Sequence, residues 1–292
     1  MADPVRDIRD RGHAIRFGIV TPQMWRSWEE MLDLWRRTER AGFDLAFLID
    51  HFQSDWDGDE GPMLEAWTLL AALARDVPRI DIGTFVSGIT HRPPVVLAKQ
   101  AVTLDHVSGG RAILGLGAAW NEREHDAYGI PFPPIGERVD RVEEALAAID
   151  RLEHEPRVSI GGRFLRIVDA PFEPKPVRGH VPILIGSTKP RMLRIAARYA
   201  DYVDFPGRPD RVREVGRRLS ADAAAAGRDP DAIRWVVELQ PSGSPIEEFD
   251  DLVDALAPLG VSVFLLNVWP RSDPSVVDRL GEQLDDLRRR WS

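Results

Sequence analysis

The sequence predicts an α/β fold, a closed (β/α)8 TIM barrel carrying one irregular excursion after its fourth helix. Eight short runs of Val, Ile, Leu and Phe alternate with amphipathic helical stretches along nearly the whole chain. Several runs stop at small or polar residues, as strands do where a parallel barrel keeps its working face. The first run continues into Thr21-Pro22-Gln23-Met24 instead of a Gly-x-Gly-x-x-Gly phosphate loop, which argues against the doubly wound open sheet.

The elements follow in order. Residues 1–14, charged through Arg6, Asp7, Arg9, Asp10 and Arg11 and without a period, are expected to be a flexible leader to a single barrel domain over 15–292. The first strand spans 15–21; Trp28, Met31, Leu32, Trp35 and Thr38 then recur at helical spacing up to a C-cap at Ala41-Gly42. The second strand is 45–49 and its helix 63–73. The third strand, 80–86, precedes a helix that opens at Pro93-Pro94 and closes at Ser108-Gly109-Gly110. The fourth strand, 112–116, is paired with a helix over 135–152. Residues 154–180, rich in Pro and Gly with two short strand patterns, read as the excursion. Strands at 182–185, 202–205, 234–239 and 261–267, alternating with helices at 191–199, 212–226, 247–256 and 276–290, complete the eight units.

Composition narrows the function. Of 292 residues 43% are hydrophobic, enough for a large core, and 47 acids against 38 bases give a net charge of −9. That charge disfavours nucleic acid and anionic membranes, so an anionic ligand needs a local pocket. The absence of cysteine excludes disulfides, thiolate nucleophiles and Cys-held metals. No metal site is expected: no His-Glu-x-x-His occurs, and Asp55, Asp57, Asp59 and Glu60 lack the glycine and distal glutamate of a calcium loop. With no apolar span of about 18 residues and no signal sequence, a cytoplasmic location is expected. Apolar helix positions such as Trp28, Trp35 and the 63–73 run point to a homodimer.

Four segments can carry chemistry. Asp50-His51 ends the second strand, where an imidazole exchanges protons near neutral pH; a loop-bracing pair is the alternative. Gly83-Thr84-Phe85-Val86-Ser87-Gly88 ends the third, with glycines suited to close backbone approach or to an ordinary turn. Gly117-Ala118-Ala119 leaves room for a ligand after the fourth, with His125 and Tyr128 placed to reach inward. Gly186-Ser187-Thr188-Lys189-Pro190-Arg191 joins free amides at a helix start to hydroxyls and two cations, an anion site of which phosphate is the simplest occupant. Trp56, Trp120 and Trp269 fall at strand C-terminal ends and suit the walls of a pocket for a planar molecule.

In this order the chain resembles the bacterial-luciferase-like flavin barrel superfamily, and within it the branch using the deazaflavin coenzyme F420. The resembling stretches are Asp50-His51-Phe52, Gly61-Pro62-Met63-Leu64-Glu65-Ala66-Trp67, Gly83 to Gly88, Leu97-Ala98-Lys99-Gln100 through Thr103-Leu104-Asp105 to Ser108-Gly109-Gly110-Arg111, Gly115 to Trp120, and Ile185-Gly186-Ser187. The resemblance implies an oxidoreductase that moves a hydride between the deazaflavin and a small organic substrate. It further implies a cis peptide bulge at Phe85-Val86 behind the ring, Asp50 at the ring's polar edge, His51 as proton donor or acceptor, and Gly186-Ser187-Thr188 around the phosphate. The sugar-phosphate dehydrogenases of that branch carry Gly-Thr-Gly-Glu where this chain has Gly117-Ala118-Ala119-Trp120, so glucose 6-phosphate is not the expected substrate. His51 then works without that glutamate, or Glu122, Glu124 or His125 stands in. The alternatives are an FMN-dependent monooxygenase fed by a separate reductase, and a non-catalytic flavin-binding barrel.

Overall fold

A computed structural model describes residues 4–54 and 61–292. Eight parallel strands close into a barrel in the order β1-β10-β9-β8-β7-β4-β3-β2. They are β1 (Arg16–Val20), β2 (Leu45–Asp50), β3 (Asp81–Gly88), β4 (Ala112–Gly117), β7 (Ile183–Ile185), β8 (Tyr202–Phe205), β9 (Arg234–Leu239) and β10 (Val261–Asn267). Around them run α1 (Trp28–Arg40), α2 (Ala66–Asp76), α3 (Pro94–Ser108), α5 (Ile135–His154), α6 (Pro190–Tyr199), α7 (Pro209–Ala225), α8 (Pro245–Leu256) and α9 (Val276–Arg290). The strand middles are apolar on both faces because helices cover the outside and neighbouring strands fill the inside. No helix among the described residues is long and apolar enough to cross a membrane.

The predicted elements hold with local shifts that have local causes. Helix α1 starts where Ser27 and Glu30 cap one another's backbone N–H groups. Helix α2 begins three residues later than the spacing predicts, because the Glu65 carboxylate accepts from Trp67 and Thr68 N–H while Met63 leaves the helix to bridge Met24. The excursion contains an antiparallel hairpin, β5 (Arg157–Gly161) with β6 (Arg166–Pro171), whose turn is tied to α5 by Glu144 accepting from the amides of Arg163, Phe164 and Leu165. A seven-residue helix that the periodicity does not reveal, α4 (Glu122–Tyr128), is capped by Asn121 and ended by Gly129 at φ 64°.

One expectation is corrected, and the ground given for another is weakened. The described part of the leader, residues 4–14, is packed rather than loose: Ile8 is fully buried, and Arg11 donates to Pro230 and Ile233 carbonyls and lies 4.2 Å from the Trp235 ring centroid. The apolar helix residues offered as a reason for a dimer are largely spent inside this chain. Trp35 is buried with its Nε1 donating to Thr21 Oγ1 at 2.9 Å, and Leu69, Leu70 and Leu73 are core.

Inside the barrel, strand alternation points Leu45, Ile113, Leu184, Tyr202, Val236 and Val263 at one another in a dry layer. Each such aliphatic side chain contributes about 1.5–3 kcal/mol on burial. Below it, at the N-terminal ends of the strands, Arg16 lies across the opening, paired with Asp81 Oδ2 at 2.7 Å and donating to Tyr202 Oη at 3.3 Å and the Asp44 carbonyl at 3.2 Å. This end is closed. The C-terminal end, above the layer, is open.

Candidate active site

A cavity of about 490 Å³ opens at the C-terminal mouth of the barrel. Its position follows from the strand ends, where inward-facing residues turn from apolar to small or polar. One wall is a bulge. The Phe85-Val86 peptide is cis, and the pairing of β3 with both neighbours shifts register there. Val86 turns into the cavity beside β4 and β7, whose facing residues are Gly115, Gly117 and Gly186. A Cβ on Gly115 would lie 1.9 Å from the Thr84 carbonyl oxygen, and one on Gly186 would lie 2.9 Å from Val86 Cγ2. The glycines read from sequence as ligand space are therefore demanded first by the bulge.

His51 lines the cavity at the end of β2. Its Nδ1 is 2.9 Å from Glu124 Oε2, and the other carboxylate oxygen accepts from Phe52 N–H at 2.5 Å. Burial alone would raise the Glu124 carboxyl, but the His51 and Phe52 hydrogen bonds hold it below its usual range. An ionised carboxylate only accepts, so the His51 Nδ1 that faces it carries the proton. Of the three residues named from sequence, Glu124, supplied by α4, is the one that meets His51. Behind it His91, also lining the cavity, places Nε2 3.7 Å from Glu124 and Nδ1 4.0 Å from Asp50.

Asp50 itself does not reach the cavity. It is fully buried, ion-paired to Arg92 through both oxygens and 3.3 Å from Trp67 Nε1. Burial would raise its carboxyl, yet His91 and the Arg92 guanidinium hold it well below the carboxylate range. Asp50 thus braces the frame behind the cavity through Arg92 and Trp67.

The remaining sequence-derived residues divide in the same way. Phe85, Val86, Gly117, Ala118 and Ala119 line the cavity, as do Gly186 and Ser187. Trp120 and Trp269 also line it, with Trp120 64% exposed at the rim and its ring 5.5 Å from that of His51. Thr188 is not among the lining residues, although its neighbours Ser187 and Lys189 are. His125 points away: its ring nitrogens are 2.6 Å from Thr90 Oγ1 and 2.6 Å from the Asn121 carbonyl. His91, Glu124 and His125 bring ligand-type atoms within 4.8 Å of one another, with both His125 ring nitrogens engaged by Thr90 and Asn121. Tyr128 is exposed and donates to the Phe52 carbonyl at 2.9 Å. Trp56 lies outside the described residues. Arg191 pairs with Asp140 on α5 rather than adding its charge to the Ser187 loop.

Sequence reading named Glu124 only as one of three possible partners of His51, and it missed His91 and a group on the far wall, Asp204, Glu238, Gln240 and Asn267. The signal was present in the strand period: Asp204 stands two residues after the inward Tyr202, Glu238 two after Val236, and Asn267 two after Leu265.

The model of the luciferase-like monooxygenase family matches residues 12–257. An F420-dependent glucose-6-phosphate dehydrogenase of Intrasporangium calvum is 30% identical over 283 residues, covering 90% of this chain and 80% of that protein. A phthiodiolone/phenolphthiodiolone dimycocerosates ketoreductase of Mycobacterium kansasii is 36% identical over 212 residues, 68% of this chain and 56% of the other. Among solved structures, an F420-dependent secondary alcohol dehydrogenase in complex with an F420-acetone adduct shares the fold at a TM-score of 0.81 and 18% identity, over 92% of this chain and 98% of that one. On a family match that runs from β1 to α8, the chain belongs to the luciferase-like monooxygenase family.

Proposed function

We propose that this chain is a coenzyme F420-dependent oxidoreductase acting on an alcohol–carbonyl pair of a small organic substrate, with His51 as the proton donor and acceptor. The observation that carries the proposal is the His51–Glu124 pair, set at the rim of a cavity whose opposite requirements, an apolar wall and an anion-seeking corner, both suit a phosphorylated planar cofactor. Ile49, Phe85 and Val86 offer the flat apolar wall. Helix α6 begins at Pro190 without a side-chain cap, so its first-turn amides and positive dipole end remain available beside Gly186, Ser187 and Lys189. The cofactor relatives named above add the choice of deazaflavin over FMN.

When bound, coenzyme F420 supplies the ring that accepts or donates the hydride. The chain's own residues do the rest. Neutral His51 accepts the hydroxyl proton at Nε2 as an alcohol becomes a carbonyl, and returns it in the reverse direction. Glu124 fixes the tautomer and offsets the imidazolium charge. Val86 and Trp269 bound the space in which the reacting carbon is oriented, and Trp120 limits water at the rim. We also keep a homodimer in the proposal, on the half-open groove between α2 and α3 where Val96 is 49% exposed; sedimentation mass checks it.

The test is titration of the cofactor-free protein with oxidised F420 and with FMN, followed by turnover of His51→Asn on an alcohol panel. Tight FMN binding with no F420 binding overturns the cofactor assignment. Unimpaired turnover by His51→Asn overturns the proton role.

A further inference from the structure

The wall of the cavity facing the bulge is acidic. In the closed strand order, β9 stands opposite β3 and β8 opposite β2, so Glu238 and Asp204 face the sides that bear Val86 and His51. Strand alternation brings Asp204, Glu238 and Asn267 inward from three adjacent strands. Glu238 accepts from Asn267 Nδ2 at 2.6 Å and from Gln240 Nε2 at 3.3 Å. Asp204 has no hydrogen-bond or ion-pair partner among the described residues, and the surface it retains lies on the cavity wall. Asn267, only 6% exposed, leaves its Oδ1 without a partner. Lys189 is the sole Lys or Arg among the described residues lining the cavity, and it stands with the Ser187 corner.

Buried carboxylates without a cation and an unused amide oxygen are costly unless something supplies hydrogen. Burial and the neighbouring Glu238 both push the Asp204 carboxyl well above its usual range. Burial raises the Glu238 carboxyl as well, so a phosphate brought to this wall would add negative charge where the environment already disfavours it.

We infer that Asp204, Glu238 and Asn267 form the substrate-recognition subsite, and that it takes an unphosphorylated group rich in hydrogen-bond donors, hydroxyls or an ammonium. The inference rests on the proposed function for its view of which ligand lies against Val86. It makes the substrate of this chain different in charge from that of the sugar-phosphate dehydrogenases it resembles, and it locates the difference on β8 to β10.

Tryptophan fluorescence reports binding without turnover, since Trp120 and Trp269 line the same cavity. F420-loaded and cofactor-free protein are each titrated with glucose, glucosamine and glucose 6-phosphate, which share a ring and differ in charge. The expected result is binding of glucose or glucosamine at least about tenfold tighter than of the phosphate. Glucosamine leads if the donor is an ammonium, and glucose matches it if hydroxyls suffice. The double variant Asp204→Asn/Glu238→Gln, nearly isosteric and relieved of buried charge, abolishes this ranking while F420 affinity stays within about twofold. Equal or tighter binding of the phosphate, an unchanged ranking in the double variant, or no binding of either unphosphorylated probe overturns the inference. If F420 fails to bind while the ranking persists in cofactor-free protein, the functional proposal falls and the subsite stands.

Discussion

Replacing Glu124 by Gln tests the central pair with little change of shape. The amide oxygen still accepts from Phe52 N–H, so the turn after β2 keeps its anchor. The amide nitrogen then faces His51 Nδ1 and donates to it, which moves the imidazole proton to Nε2, the atom that should accept from substrate. At 2.9 Å and an effective dielectric of about 20, Coulomb attraction between carboxylate and imidazolium is at most about 6 kcal/mol. Exchange with water in the unbound reference trims a charge-assisted hydrogen bond to about 1.5–3 kcal/mol net. At about 1.4 kcal/mol per decade, kcat for alcohol oxidation should fall about 10- to 100-fold with KM little changed, because the lost interaction matters when charge appears on the ring. Steady-state rates with F420 measure this, and imidazole nitrogen chemical shifts of His51 report the tautomer. A kcat within about twofold of the parent together with an unchanged tautomer would refute the role given to Glu124.

Three further outcomes follow from the geometry. Gly115→Ala forces a methyl against the Thr84 carbonyl and Val86, so we expect about 1–3 kcal/mol of destabilisation and weaker F420 binding; a melting temperature and affinity equal to the parent's would show that the bulge does not need the glycine. Asp204→Asn should raise stability at neutral and higher pH. Its folded-state carboxyl is raised, so the parent is unpenalised near pH 4 and loses stability as pH climbs through the raised value; a stability gain equal at both ends of a pH series would contradict this. His180 lies 2.7 Å from Glu153 and 2.9 Å from Asp201; burial would lower its pKa, but those hydrogen bonds raise it to about 10. Its contribution is complete below the ordinary histidine value and lost as pH rises toward about 10. His180→Gln, at a side chain more than a third exposed, should cost about 1 kcal/mol near pH 6 and almost nothing near pH 10 by chemical denaturation, and a pH-independent cost would sink the assignment.

The barrel was legible because its period is long-range redundancy: eight alternations constrain one another even where a single boundary slips, as at Met63. The bulge was legible only through resemblance, since Gly83 to Gly88 alone reads equally as a turn. Asp50 shows the converse. Its place beside His51 marks a strand end correctly, but adjacent residues on a strand face opposite ways, so one meets the cavity and the other meets Arg92. His91 was hidden and Glu124 could not be told from Glu122 or His125, because each lies on a different loop or short helix from His51 and their convergence on it is a property of the closed ring, not of spacing. Asp204 and Glu238 were readable in principle. An acid in the inward register of a buried strand is rarer than a polar strand tip, and it is the stronger mark of a site.

The seal made by Arg16, Asp81 and Tyr202 has a kinetic consequence. With that end shut and the layer above it dry, the described residues leave one doorway for every molecule that uses the cavity. A bulky ligand lodged against Val86 and a second molecule entering past Trp120 would share that doorway, so the order of loading matters. Excess of the second molecule over an empty barrel would then block the passage and slow turnover.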